Sequence, residues 1–207
     1  MTAAEMPAAY RALIDSNRVS TGTRDALLAR AEPDDPAYRP TAMTGAQLDV
    51  LRAVVRRVVP QPDGRGIDLA AWLDAQLAEA QGDGWRFAAL PEDRAAYARA
   101  LDVLDHCARA EHGCGFAALA GDVQDAFLTR VAAGSLDGGL PGSLDGKQMR
   151  LWFEDLRADA VKLYVAHPVT LAALGYSGVG NGGDGDDKIG FQRIGLDECE
   201  AWEPLQP

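Results

Sequence analysis

Apolar residues in this chain recur at three- and four-residue spacings, and no stretch sustains the alternation that a half-buried strand requires. The pattern predicts an all-α protein. A first helix from Pro7 to about Asn17 would bury Met6, Tyr10, Leu13 and Ile14. A second would start at caps on Thr21 or Thr23 and stop before Pro33. The segment EPDDPAYRP then places three prolines in nine residues, which breaks helices and stiffens the chain. Residues 1–40 are therefore expected to form an N-terminal helical arm and Pro-rich linker. Residues 41–207 would hold the main core and a tail.

That core opens on Thr44-Gly45-Ala46-Gln47, a capping box with Met43 and Leu48 placed as its hydrophobic staple. Leu48, Leu51, Val55 and Val58 form the stripe of this helix, and Pro60 stops it. After QPDGRG, the run IDLAAWLDAQLAEA sets Trp72, Leu73 and Leu77 on one face and should end near Gly82. A loop carrying Trp85 and Phe87 leads to Pro91, which suits the first position of a helix, with Glu92 and Asp93 at its positive end. Tyr97, Leu101, Leu104 and Ala108 give its buried stripe, Gly113 ends it, and Phe116 and Leu119 pack under the turn. A further helix from about Asp122 to Gly134 would bury Val123, Phe127 and Val131. The loop GSLDGGLPGSLDG reads as mobile turn chemistry.

The strongest amphipathic signal runs from about Gly146 to Ala166, with Met149, Trp152, Phe153, Leu156, Ala160, Leu163 and Tyr164. His167-Pro168 breaks it, and a short helical turn reaches Leu174 and Gly175. The remaining tail is Gly- and Asp-rich and cannot hold helix. Its spaced Tyr176, Ile189, Phe191, Ile194 and Trp202 suggest that it lies along a surface. The expected architecture is a compact helical bundle of about five helices, with the N-terminal helical arm and an irregular Gly-rich C-terminal tail.

Composition narrows the function. With 207 residues the chain can bury a core without staples. Its 31 acidic against 20 basic residues, net −11, argue against nucleic acid or an anionic membrane as partner. No run approaches the length of a membrane span. The N-terminus lacks a basic region followed by an apolar one. The expectation is a cytoplasmic chain, or one that reaches the periplasm or another extracytoplasmic space with a partner.

Candidate chemistry is sparse. His106, Cys107, His112 and Cys114 lie within nine residues, but on one helix and its cap, where adjacent residues point about 100° apart. A metal-dependent enzyme built on them is one reading. The other makes Cys107 a small core group and His112 a cation at a helix C-terminus. His167 would cap the end of the long helix. No G-x-S-x-G, H-E-x-x-H or C-x-x-C occurs. The run GVGNGGDGDD lacks the strand, helix and Gly-Lys-Ser/Thr of a phosphate cradle. Asp184, Asp186 and Asp187 miss the EF-hand offsets, leaving a looser calcium site or a flexible loop. Adjacent Trp152 and Phe153 give a wider apolar face than one core needs. With the aromatic tail they suggest a docking surface; a well-filled core is the alternative.

The order of these pieces resembles the gluconate 2-dehydrogenase subunit 3 family, the small or gamma subunit of flavin dehydrogenases. The matching pieces are VVRRVVP and IDLAAWLD (Val54 to Asp74), YARALDVLD with GFAAL and VQDAFL (Tyr97 to Leu128), LWFEDLRADAVKLYVAHP (Leu151 to Pro168), and LGYSGVG…KIGFQRIG in the tail. The likeness covers about residues 44–200. It implies a non-catalytic accessory subunit that binds a large FAD-dependent oxidoreductase chain, with a cytochrome subunit as a further partner. FAD would belong to the partner, and this chain would bind no cofactor. Its role would be chaperone-like: folding, export or stability of the catalytic subunit. Two departures stand out. Where the family often carries an N-terminal twin-arginine export signal, this chain has a polar helical arm and the EPDDPAYRP linker, and Pro168 is followed by VTLAALGYSG, with Asn181-Gly182-Gly183 further on, where the family has Pro-x-Tyr-Gly-Gly-Asn. The expected docking region comprises Trp152, Phe153, Tyr164, His167, Pro168 and Tyr176. Cys199 would be either a thiol that bonds the catalytic chain or a free one. A stand-alone, self-associating helical scaffold is the alternative function.

Overall fold

The computed structural model describes residues 6–62, 66–79, 86–185, 190–196 and 198–204. Among them the chain is all-α, as expected, with no strand. The helices are α1 (Ala8–Asp15), α2 (Thr21–Arg30), α3 (Gly45–Val58), α4 (Leu69–Ala78), α5 (Asp93–His112), α6 (Gly121–Ala132), α7 (Gly146–Ala166) and α8 (Pro168–Ala173). A 3-10 turn, Phe116–Ala118, lies between α5 and α6. Trp85 and the expected end of the fourth helix near Gly82 lie outside the described residues, as do Asp186, Asp187 and Ile189.

The described residues fall into two compact units. One holds the chain between Asp35 and Leu163. The other joins the chain up to Asp34 with the chain from Tyr164 onward, and Gly66 is grouped with it. The arm is thus not separate from everything else: it shares a core with the tail.

The larger unit is built around α3. Thr44 and Gln47 form the full capping box, and α3 buries Val50, Ala53 and Val54 besides Leu48, Leu51 and Val55. It packs on α4, α5, the 3-10 turn and α6. Helix α5 starts at Asp93 behind the Glu92 cap, so Pro91 precedes the helix instead of opening it. It ends where Gly113 turns left-handed at φ 74°. Trp152 on α7 meets Tyr97 of α5 edge-on, with centroids 5.9 Å apart. The Tyr97 hydroxyl donates to Asp159 at 2.8 Å, and burial drives its pKa well above the usual value, so it stays a neutral donor.

The loop between α6 and α7 is pinned. Each SLDG copy inserts its leucine into the core: Leu136 and Leu144 are fully buried. Asp145 then opens α7 by accepting from the Gln148 amide at 2.8 Å, while the Gln148 side chain accepts from the Asp145 amide at 3.1 Å. The repeat that reads as turn chemistry thus supplies two core anchors as well as a cap.

In the smaller unit, Tyr10, Leu13, Ile14, Val19 and Leu27 cluster with Ala172, and Leu171, Val179 and Trp202 pack against them. Ser20, not Thr21 or Thr23, caps α2 by accepting from the Thr23 amide. The glycine-rich run lies on the α1–α2 turn, where the Gly182 and Gly183 amides donate to the Arg18 carbonyl at 3.0 and 2.6 Å. Asp184 accepts from the Thr21 amide at 2.9 Å and its hydroxyl at 2.6 Å, at the positive end of α2. One of the three acids considered for calcium therefore holds a helix terminus.

Candidate functional site

The structure places the expected docking residues unevenly. Trp152 is fully buried and Phe153 is 6% exposed. Both are core side chains, which corrects the expectation of a surface pair. Residues 151, 152 and 153 are all buried, so the N-terminal half of α7 is covered around most of its circumference. The half-face left open lies further along, where Val161 and Val165 are 47% and 40% exposed.

Tyr164 is half-buried, and His167 and Pro168 are buried. His167 caps the start of α8, not the end of α7 as expected: its Nδ1 accepts from the Val169 amide at 3.2 Å. Pro168 starts a new helix at once, so the ring folds forward onto an amide that needs an acceptor. Burial holds the His167 pKa below its ordinary value. The neighbouring Asp34 and the Arg30 backbone pull the other way, and the Arg30 charge adds to the lowering.

Tyr176 is 51% exposed and Cys199 is exposed. Both stand on fixed backbone. The Tyr176 carbonyl accepts from the Tyr10 hydroxyl at 2.9 Å, and burial raises that phenol's pKa to about 12. The Tyr176 ring lies so close over Gly178 that a Cβ there would come within 2.5 Å of its hydroxyl. The Cys199 carbonyl accepts from the Arg193 guanidinium at 3.2 Å.

The His/Cys group does not converge. His106 is exposed, Cys107 is buried with Sγ 3.8 Å from the Asp137 carbonyl, and the His112 ring lies tilted against Phe127, with centroids 5.7 Å apart. Burial raises the Cys107 pKa, which disfavours the thiolate. Among the described residues no group of three or more His, Cys, Asp or Glu side chains is placed to share an ion. An open groove of about 370 Å³ is lined by Glu111, His112, Asp122, Val123, Ala126, Phe127 and Arg130. Two of its charges neutralise each other: Arg130 grips Glu111 with bonds of 2.8 and 3.0 Å and lies 5.0 Å over the Phe127 ring. That contact lowers the Glu111 pKa.

Pattern reasoning missed two sets of residues. Asp74 is fully buried on α4 and accepts five hydrogen bonds, one from Tyr38 in the Pro-rich linker and four from Thr41, Ala42 and Met43 just after it. A carboxylate on the apolar stripe four residues after Ala70 was the available signal. Ile194, expected to lie along a surface, is instead 88% exposed, and Leu196, which the pattern does not single out, is 93% exposed; periodicity cannot reveal either in a non-helical segment.

These observations define an all-helical protein whose described polar side chains largely cap helices and brace loops. The most exposed large apolar side chains among the described residues lie in the C-terminal tail. Residues 45–183 match the family described as gluconate 2-dehydrogenase subunit 3, and the chain belongs to that family. No curated protein and no solved structure matches it significantly. No helix among the described residues is long and apolar enough to cross a membrane.

Proposed function

We propose that this chain is the non-catalytic accessory subunit of a FAD-dependent sugar or sugar-acid dehydrogenase, and that it stabilises the catalytic subunit or helps it mature. The observation that carries the reading is the match to the subunit 3 family over residues 45–183, most of the folded chain. The flavin sits in the partner, and a cytochrome subunit takes the electrons onward. This chain acts by binding. A partner that binds only the folded catalytic subunit at about 100 times its Kd stabilises it by about 2.7 kcal/mol, enough to rescue a marginal fold.

The docking region keeps Tyr176 and Cys199 as accessible contacts with the half-buried Tyr164, and His167 and Pro168 form the buried start of the helix that leads to Tyr176. Trp152 and Phe153 are core side chains and make no such contact. In an oxidising compartment Cys199 is the exposed thiol placed to bond the catalytic chain. The compartment is the one in which the partner works.

Co-expression tests the reading. The accessory reading expects a flavin dehydrogenase gene beside this one, and its product should lose most of its soluble, flavin-loaded yield when this chain is omitted. An unchanged yield rejects it.

A further inference from the structure

The tail beyond the family match holds an unusual loop. Residues 190–196 form no helix or strand, yet they are tightly braced. One Glu200 oxygen accepts from the Gln192 amide at 2.5 Å and the Arg193 amide at 2.8 Å. Glu198 accepts from the Gly195 amide at 3.2 Å, and its own amide donates to the Gly195 carbonyl at 3.1 Å. Glu203 accepts from the Glu200 amide at 2.7 Å and from the Ser177 hydroxyl. Trp202 anchors the far side: it packs with Phe191 at 5.1 Å and under Arg18 at 4.5 Å. It lies so close to Gly180 that a Cβ there would be 2.6 Å away. A loose tail would fold its apolar groups inward. This one holds Ile194 and Leu196 out, 88% and 93% exposed, the two most exposed large apolar side chains described.

We propose that the 190–196 loop is a preorganised docking knob, with Ile194 and Leu196 entering an apolar cleft with a basic rim on the catalytic subunit. The inference rests on the accessory-subunit reading. Bracing lowers the ordering entropy that a free tail would lose on binding. Charge selects the occupant. The chain carries a net charge of −11, so a second copy would bring like charge to the contact. At the knob itself the Glu198 and Glu200 carboxylates outnumber Arg193, whose guanidinium is turned back onto the Cys199 carbonyl at 3.2 Å. A cleft rimmed by Arg or Lys is complementary to both features.

The test co-expresses this chain with a tagged copy of the flavin dehydrogenase chain that the accessory reading expects beside it in the genome. It compares wild type, Ile194→Ser/Leu196→Ser and Leu140→Ser, a control at a 42% exposed leucine in the larger unit. The double variant should weaken the complex about a hundredfold, the loss expected for two apolar side chains left in water. Its melting temperature should match wild type, because neither side chain packs on its own chain. Leu140→Ser should bind as wild type. Equal co-purification of the double variant overturns the knob and leaves the accessory reading standing. A wild-type chain that fails to co-purify overturns the knob, and one that also leaves the flavin-loaded yield unchanged overturns both. Equal loss in Leu140→Ser overturns the knob as a specific contact. A wild-type dimer in sedimentation that dissociates in the double variant makes a second copy the occupant, and also overturns it.

Discussion

Asp74 shows how one side chain can fix a segment that has no regular structure. Its carboxylate accepts from the Tyr38 hydroxyl at 2.7 Å, the Thr41 amide and hydroxyl at 2.6 and 3.1 Å, and the Ala42 and Met43 amides at 3.0 Å each. Arg94 completes the clamp by donating to the Ala42 and Thr41 carbonyls at 2.9 and 3.3 Å. Asp74→Ala would orphan three amides and should lower stability by about 3–5 kcal/mol, read as a drop in the urea midpoint. His167 carries the second prediction at this scale. Its folded pKa lies below the ordinary 6.5, so below that pH the unfolded chain binds more protons. The stability held by neutral His167 is full above 6.5 and is lost as the pH falls toward the folded value. Protonation also removes the acceptor that caps α8. Melts at pH 7.5 and 5.5 should show a loss in wild type that shrinks in His167→Asn, which keeps a capping acceptor without a titrating ring. The carboxylates held low by arginine act in a lower window. Glu111 beside Arg130 and Asp125 beside Arg57 give up their share only below their ordinary 4.5 and 3.8. The sequence made His167 visible as a break residue but not its direction, because whether a ring folds back or forward depends on which amide is left without a partner.

At the scale of elements, local chemistry was the legible part. The Thr44 box, the Gly113 stop and the bounds of α7 rest on neighbours within a turn, and all three can be read before any tertiary contact exists. The identity of a helix's covering layer is not local. Trp152 and Phe153 read equally well as interface or core, and only the elements packed on α7 decide between them. The same limit applies to Gly45 and Gly146, each the first residue of a helix. A Cβ on Gly45 would meet nothing within 4 Å, whereas one on Gly146 would lie 2.2 Å from the Gly134 carbonyl oxygen. Gly45→Ala should therefore stabilise by about 0.4–1 kcal/mol by restricting the unfolded chain. Gly146→Ala must push apart the two ends of the α6–α7 loop, which Leu136 and Leu144 anchor, and should destabilise by about 1–3 kcal/mol. Thermal melts of the two variants should move in opposite directions. Equal shifts would mean that the close approach at Gly146 relaxes without cost.

At the scale of the molecule, the chain closes its smaller unit with residues more than 160 apart in sequence: Tyr10 bonds Tyr176, and Thr21 bonds Asp184. Helix α1 has eight residues and α2 ten, too short to persist alone, so their order depends on the segment that returns to them. This explains why the arm looked independent in the sequence. A linker with three prolines marks where the chain leaves a core, and nothing local marks where a glycine-rich tail comes back. Gly183 is the point of closest return. Its φ is +72°, its amide donates to the Arg18 carbonyl, and a Cβ there would lie 2.1 Å from the Asn17 carbonyl oxygen. Gly183→Ala is therefore both strained in backbone and sterically blocked, and should release the tail from the α1–α2 turn. Gly185, two residues on, has ordinary backbone and open space, so Gly185→Ala should be silent. Hydrogen exchange separates the outcomes. In Gly183→Ala, amides of α1 and α2 should lose protection while those of α3 and α5, in the larger unit, keep theirs. Matching exchange in both variants would show that the arm holds its structure without the tail.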